Sequence, residues 1–220
     1  MRHAEGVKRT RFADRADAGA QVAAALADRE WPQAIVLGLP RGGIPVAAEI
    51  AHRLRLPLDV LVVRKLGYPG QPELAVGAIG EKNVHVLNDE LLARYPVPGG
   101  ALASVERAER RELERRVAAY RRNRPPLDLA NKTVIVCDDG MATGSTMLAA
   151  VEVVRCMDAA EIVVAVPVAS AQAVLMLSRR AHRVVALHSP VNLGAVGLFY
   201  DDFTQVEDNE VTTVLAEFVS

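Results

Sequence analysis

Five short apolar runs separated by segments of helical periodicity constrain this chain more than any other feature: AIVLGL (34–39), LDVLVV (58–63), KTVIVC (132–137), EIVVAVPV (161–168) and RVVALH (183–188). Runs of this length, rich in Val and Ile, describe strands buried on both faces, as in a parallel sheet covered by helices. Helices are expected at 14–29, with Asp14 as N-cap, and at 44–54, 145–157 and 171–180. The expected fold class is therefore α/β, an open, mainly parallel, doubly wound sheet flanked by helices. Ligands in such sheets bind beyond the carboxyl ends of the strands, so chemistry should collect after Leu39, Val63, Cys137 and Val168. A length of 220 residues suits one such domain with an appendage better than two.

Two segments break the alternation. From Gly67 to about Leu87 the chain reads GYPGQPELAVGAIGEKNVHVL, which predicts a mobile loop followed by a short hairpin. The stretch ALASVERAERRELERRVAAYRRNRPP predicts one long helix ended by Pro125 and Pro126. Its apolar stripe is Leu102, Val105, Leu113, Val117 and Tyr120, and Glu106 with Arg110 and Glu112 with Arg116 are supporting i,i+4 pairs. The end of this helix is rich in arginine, but its signs alternate and no aromatics interleave. A solvated or subunit-packing face is the expectation, and nucleic acid is not.

The formal net charge of −1 requires any anion site to be local. Cys137 and Cys156 have no metal-type spacing and read as buried apolar residues of a reducing compartment. His3, His52, His85, His182 and His188 form no zinc-type cluster. The N-terminus MRHAEGVKRTRF lacks an apolar signal core, and no apolar run approaches the ~18 residues that span a bilayer. A cytoplasmic protein without a membrane partner is expected.

The most informative loop follows the strand at 134–137: Asp138, Asp139, Gly140, Met141, Ala142, Thr143, Gly144, Ser145 and Thr146, with a helix directly behind. Small and hydroxyl residues opening a helix form an anion cradle, because free N–H groups and the positive dipole end converge there. Two carboxylates beside a phosphate need a neutral spacer rich in hydroxyls, and a ribose 5-phosphate fits that description. A Walker A loop would need Lys where Ser145 stands, and GxGxxG is absent here.

The stretch VIVCDDGMATGST resembles the signature of type I phosphoribosyltransferases that binds 5-phosphoribosyl-1-pyrophosphate (PRPP). The resemblance implies that Asp138 and Asp139 hold the ribose 2- and 3-hydroxyls, and that Met141 to Thr146 bind the 5-phosphate. It extends over roughly 34–205 and is nearest to a bacterial branch with RGG, RKLG and DDGxATG motifs. By the same resemblance Arg41, Gly42 and Gly43 of LPRGGIPVA form the pyrophosphate loop. Arg64 and Lys65 of VVRKLGYPGQPE supply cations to pyrophosphate, with a catalytic lid at about 67–80. In AVGLFYDDFTQ, Phe199, Tyr200 and Asp202 would stack on and read an acceptor base. The implied layout is a single domain over 1–220, with a core at 34–190, a helical insertion at 88–126, and a hood from the N-terminal and 190–220 segments. The implied activity transfers phosphoribose to a nitrogenous acceptor, with Mg²⁺ held mainly by PRPP oxygens and with a homodimer as the assembly.

The chain departs from 6-oxopurine enzymes. Their carboxylate before Thr-Gly is Ala142 here, and their lysine is missing from Val168, Ala169 and Ser170. The acceptor stays open, and a PRPP- or nucleotide-sensing regulator without turnover is the alternative. A phosphohydrolase is a third class, but it lacks an aspartyl nucleophile or metal cluster of the usual kind.

Overall fold

The computed structural model describes residues 11–97, 99–122 and 124–218; the N-terminal residues 1–10, which hold most of the stretch MRHAEGVKRTRF and part of the expected hood, lie outside that set. Helix α1 (Arg15–Leu26) opens on Asp14, whose side chain accepts from the Asp17 N–H as expected of an N-cap. There follow β1 (Ala34–Gly38), α2 (Gly43–Leu54), β2 (Leu58–Val60), β3 (Val63–Tyr68), β4 (Gln71–Gly80), β5 (His85–Leu87), α3 (Asp89–Arg94) and α4 (Ala101–Arg121). The second half contains β6 (Thr133–Cys137), α5 (Ser145–Arg155), β7 (Glu161–Val168), α6 (Ala171–Leu177), β8 (Arg183–His188), a 3₁₀ turn (Val196–Phe199) and α7 (Asp208–Ala216).

The main sheet is parallel throughout, in the order β2-β1-β6-β7-β8. Successive residues of its strands face opposite layers. Val36, Ile135, Cys137, Val163 and Ala165 pack with Val22, Leu26, Ile44 and Ile50 of α1 and α2. Leu37, Val134, Val136, Val164 and Val166 pack with Met147, Val151, Ala173 and Leu177 of α5 and α6. Burying each such aliphatic side chain contributes roughly 1.5–3 kcal/mol, which is why the strands carry no polar alternation. The sheet is doubly wound: from β1 the chain passes to β2 on one side and later returns to β6 on the other.

The run LDVLVV is not one strand. Pairing with β1 ends at Val60, and β3 leaves to start a separate antiparallel sheet, β3-β4-β5. The segment 67–80, expected as a mobile loop, lies mostly in the paired β3–β4 hairpin, which turns where Tyr68 faces Gln71 and Gly70 adopts a φ of 82°. This small sheet is sandwiched: Leu66, Val76 and Ile79 meet Leu113 and Tyr120 of α4, whereas Val63 and Ala78 face the cluster containing α5. Apolar contact on both faces explains why a Gly- and Pro-bearing sequence forms strands here.

Helix α4 carries Leu102, Leu113, Val117 and Tyr120 of the predicted stripe inward and both predicted ion pairs, Glu106–Arg110 and Glu112–Arg116, each at 2.7 Å. Its arginine-rich end differs from the expected solvated face. Arg121 is only 7% exposed and donates to Glu81, to the Asp59 carboxylate (3.1 Å) and to the Val60 carbonyl (2.9 Å). Arg124 adds bonds to Asp59 (3.3 Å) and the Leu58 carbonyl (3.0 Å), so this cluster joins α4 to the edge strand β2. Cys137 is buried as expected, but Cys156 is exposed, because it caps α5 beyond the last buried turn. Among the described residues no helix is long and apolar enough to cross a membrane.

Candidate functional site

Strands β1 and β6 are neighbours whose following loops lead to helices on opposite faces of the sheet, the arrangement that opens a crevice in doubly wound folds. The two loops are Leu39–Gly42 and Asp138–Gly144. They touch: a Cβ placed on Gly42 would lie 2.0 Å from Asp139 Oδ2, and one on Gly43 would lie 2.7 Å from the Cys137 carbonyl oxygen. At Gly43 a side chain would run into the backbone of Cys137 and Asp138 and push the loops apart, and at Gly42 it would displace the Asp139 carboxylate, which is the physical reason for the Gly-Gly pair. The peptide between Pro40 and Arg41 is cis. The Gly43 N–H donates to the Leu39 carbonyl, so Gly43 contributes space here rather than an outward N–H.

Both acidic residues sit at the carboxyl end of the central strand. Burial raises the Asp138 carboxyl well above its ordinary range, and the charge of Asp139 adds to this. Burial raises Asp139 as well, opposed by Arg15, whose Nε donates to Asp139 Oδ2 at 2.9 Å. The Tyr200 hydroxyl donates to the Asp139 carbonyl at 2.6 Å, and burial pushes the phenol up, keeping it a neutral donor.

Beyond the acids, Gly140 is close to Val196 and Val168, where a Cβ would stand 2.5 Å from Val196 Cγ1. Met141 is buried, with its N–H donating to the Val168 carbonyl and its carbonyl accepting from the Ser170 N–H. The exposed part of the loop is therefore narrower than the expected span: Ala142, Thr143 and Thr146 are exposed and Ser145 half-buried, while Gly144 is buried. Gly144 takes a left-handed φ of 75° to cap α5, and the Thr143 and Ser145 hydroxyls are 3.0 Å apart. This places small residues, hydroxyls and the amino end of an eleven-residue helix beside two carboxylates.

The other candidates divide. Arg41 is half-buried and reaches Glu207 (3.5 Å) and Asp208 (3.8 Å) at the start of α7. Arg64 is bound to Glu109 of α4 at 2.6 Å, a pair that ties the hairpin to that helix. Lys65 is half-buried on β3 opposite Ala78. Phe199 and Tyr200, expected to stack on a base, are core residues at 5% and 1% exposure, packed with Phe12, Val168 and Leu193. Their rings offer no open face, because the segment folds inward to pair with the start of the chain: Phe12 N–H donates to the Phe199 carbonyl (2.8 Å), and Asp201 N–H to the Phe12 carbonyl (2.8 Å). Asp202 is exposed, and the accessible ring beside it is Phe203.

Arg15 is the residue that motif reading misses. Besides Asp139 it donates to the Thr204 carbonyl (2.7 Å) and lies 4.0 Å from the centre of the Phe203 ring. A weak signal is present in the sequence: a cation in the first turn of a helix opposes the helix dipole and suggests a tertiary partner. Among the described residues no group of three or more His, Cys, Asp or Glu side chains is arranged to hold a metal ion.

Residues 12–202 match the family described as "Phosphoribosyl transferase domain". A Mycobacterium tuberculosis H37Rv protein named "Putative phosphoribosyl transferase Rv0571c" is 47% identical over 204 residues, covering 93% of this chain and 46% of its own. The chain thus spans about half the length of the curated relatives it matches. The crystal structure of TT1426 from Thermus thermophilus is 46% identical with a TM-score of 0.89, covering 96% of this chain and 100% of that one.

Proposed function

Because the chain belongs to the phosphoribosyltransferase family, we propose that it transfers the 5-phosphoribosyl group of PRPP to a nitrogenous acceptor and releases pyrophosphate. The observation that carries this reading is the close approach of the two loops, so tight that a Cβ at Gly42 would lie 2.0 Å from Asp139 Oδ2, beside a hydroxyl-bearing turn that opens α5. In the proposed complex the 5-phosphate takes N–H groups between Ala142 and Thr146 and the hydroxyls of Thr143, Ser145 and Thr146. The ribose 2- and 3-hydroxyls donate to Asp138 and Asp139. The diphosphate lies toward the 41–43 loop, with Arg41 and Lys65 as its cations. The acceptor comes from the side of Asp202 and Phe203, the latter 37% exposed with the Arg15 guanidinium lying over its ring.

In the reaction the C1–O bond electrons depart with pyrophosphate while an acceptor nitrogen lone pair forms the new bond to C1. Little covalent chemistry falls to the protein, so positioning and electrostatics carry catalysis. The residues fit an ion that arrives with its ligand: two adjacent carboxylates, one held by Arg15, make a poor cage for Mg²⁺ but leave the diphosphate oxygens and water to hold it. When bound, Mg²⁺ would neutralise charge on the leaving pyrophosphate. Ala142, and the lack of lysine in 168–170, disfavour a 6-oxopurine as acceptor.

Calorimetric titration of PRPP with and without Mg²⁺, followed by pyrophosphate release across a panel of bases and amines, tests the proposal. Binding with release for one acceptor supports it and names the substrate. Binding without release for any acceptor would favour a PRPP sensor, and an absence of binding would overturn the reading.

A further inference from the structure

We propose that Arg15 is a positioning residue that holds the Asp139 carboxylate in place for a pair of sugar hydroxyls and ties it to the acceptor side of the site at Phe203–Thr204. The inference rests on the PRPP reading above and deepens it by assigning a role to a residue outside every motif.

Arg15 stands where three parts of the site converge. Its Nε donates to Asp139 Oδ2, its Nη1 to the Thr204 carbonyl, and its guanidinium plane meets Phe203. The same Nε lies 3.3 Å from the point where a Gly42 Cβ would be, so the guanidinium also borders the 41–43 loop. The Arg15 side chain is only 11% exposed, which removes the solvent screening that makes surface pairs weak. A planar fork with donors in two directions suits this place, and a lysine could supply the charge but not both bonds and the stacked face.

Electrostatics gives the arrangement its purpose. Two neighbouring buried carboxyls disfavour each other's ionisation, and a protonated acid is a poor acceptor for two hydroxyls. Among the described residues the groups around Asp139 are Asp138 in the same loop, Arg15 from α1, the neutral Tyr200 hydroxyl, and the backbone of Gly42. Nearby Asp202 is exposed and held low by its bonds to Thr204, so it adds an acid rather than a cation. Among the described residues Arg15 is thus the cation that opposes protonation of Asp139, through a direct hydrogen bond as well as its charge.

The test follows the Asp139 carboxyl carbon by NMR across pH in ¹³C-aspartate-labelled protein, assigned with D139N, in wild type, R15A, R15Q and R15K. PRPP affinity is measured in parallel. In R15A the Asp139 midpoint should rise by about one pH unit or more, as loss of an adjacent cation implies. The loss of PRPP affinity on acidification should begin about one pH unit higher than in wild type, and below both midpoints the affinity should be about tenfold weaker than wild type, the same unit expressed as an equilibrium. R15K should recover most of the midpoint and less of the affinity, whereas R15Q should behave as R15A, which covers the case in which R15A does not fold. Wild-type protein that binds no PRPP overturns the function on which the proposal rests. Wild-type binding, with R15A and R15Q unchanged in both midpoint and affinity, overturns the role of Arg15 alone.

Discussion

Two buried ionic clusters in this chain differ in their balance of charge. At the end of α4, Arg121 and Arg124 meet Asp59 and Glu81, two cations for two acids, with further bonds to strand carbonyls. At the end of β6, Asp138 and Asp139 meet a single cation among the described residues, Arg15. The balanced cluster locks a helix to a sheet edge and needs nothing more. The unbalanced one keeps acceptor oxygens in excess at a crevice, which suits a ligand that brings hydroxyls. A buried ion pair is therefore not by itself a sign of function; the surplus of one sign is the more informative quantity.

The largest effect should come from breaking the balance. Arg121→Ala leaves Glu81 and Asp59 buried against one remaining cation, and should lower unfolding free energy by about 3–5 kcal/mol in urea melts. A loss below about 1 kcal/mol would mean that water already serves those carboxylates. Next is the surplus itself: Asp139→Asn should weaken PRPP binding by about 30-fold or more while the melting temperature stays near wild type, since one ionic acceptor is lost from the hydroxyl site. Unchanged affinity would remove the acid pair from the ligand site.

A smaller effect, opposite in sign, should follow from Asp138→Asn. The folded-state carboxyl of Asp138 is raised, so ionising it opposes folding, and wild type loses stability as pH climbs from the ordinary carboxylate range toward the folded value. The variant should melt about 2–4 °C higher than wild type at pH 8, with the gain vanishing near pH 4, and it should bind PRPP poorly. A lower melting temperature at pH 8 would show that the ionised acid is stabilised by its surroundings. The smallest effect provides the exposed control. Glu112 is held down to about 2 by Arg115 and Arg116, so its contribution is present at neutral pH and lost as pH falls from the ordinary carboxylate range through about 2. Glu112→Gln should change stability by no more than about 0.5 kcal/mol, because solvent screens that pair.

The sequence makes local features legible and conceals distant ones. The runs that became β1, β6 and β7 declare themselves because a strand covered on both faces has nowhere for a polar residue, whereas the half-buried edge strand β8 is marked by its apolar Val184–Leu187 core. The Asp138–Thr146 loop is equally plain, since strand, acids, glycine and helix start are contiguous. The division of LDVLVV between two sheets is hidden, because an apolar run has the same composition whichever partner it takes. Hidden for another reason are the pairs Arg15–Asp139 and Arg121–Glu81, separated by 124 and 40 positions, where only the folded chain defines the partner. Phe199 and Tyr200 show the limit of compositional clustering: neighbouring aromatics can as readily close a corner as face a ligand.

The bridge between Phe12 and Tyr200 also sets an order in time. Translation at about 5–20 residues per second places roughly 10–40 s between the appearance of these two segments. During that interval the sheet can assemble strand by strand, but the carbonyl of Asp139 has no Tyr200 donor, and Arg15 has neither Thr204 nor Phe203. The acid pair is thus among the last parts of the domain to receive its full set of neighbours, and a nascent chain stalled before residue 200 would display a sheet with an unfinished site.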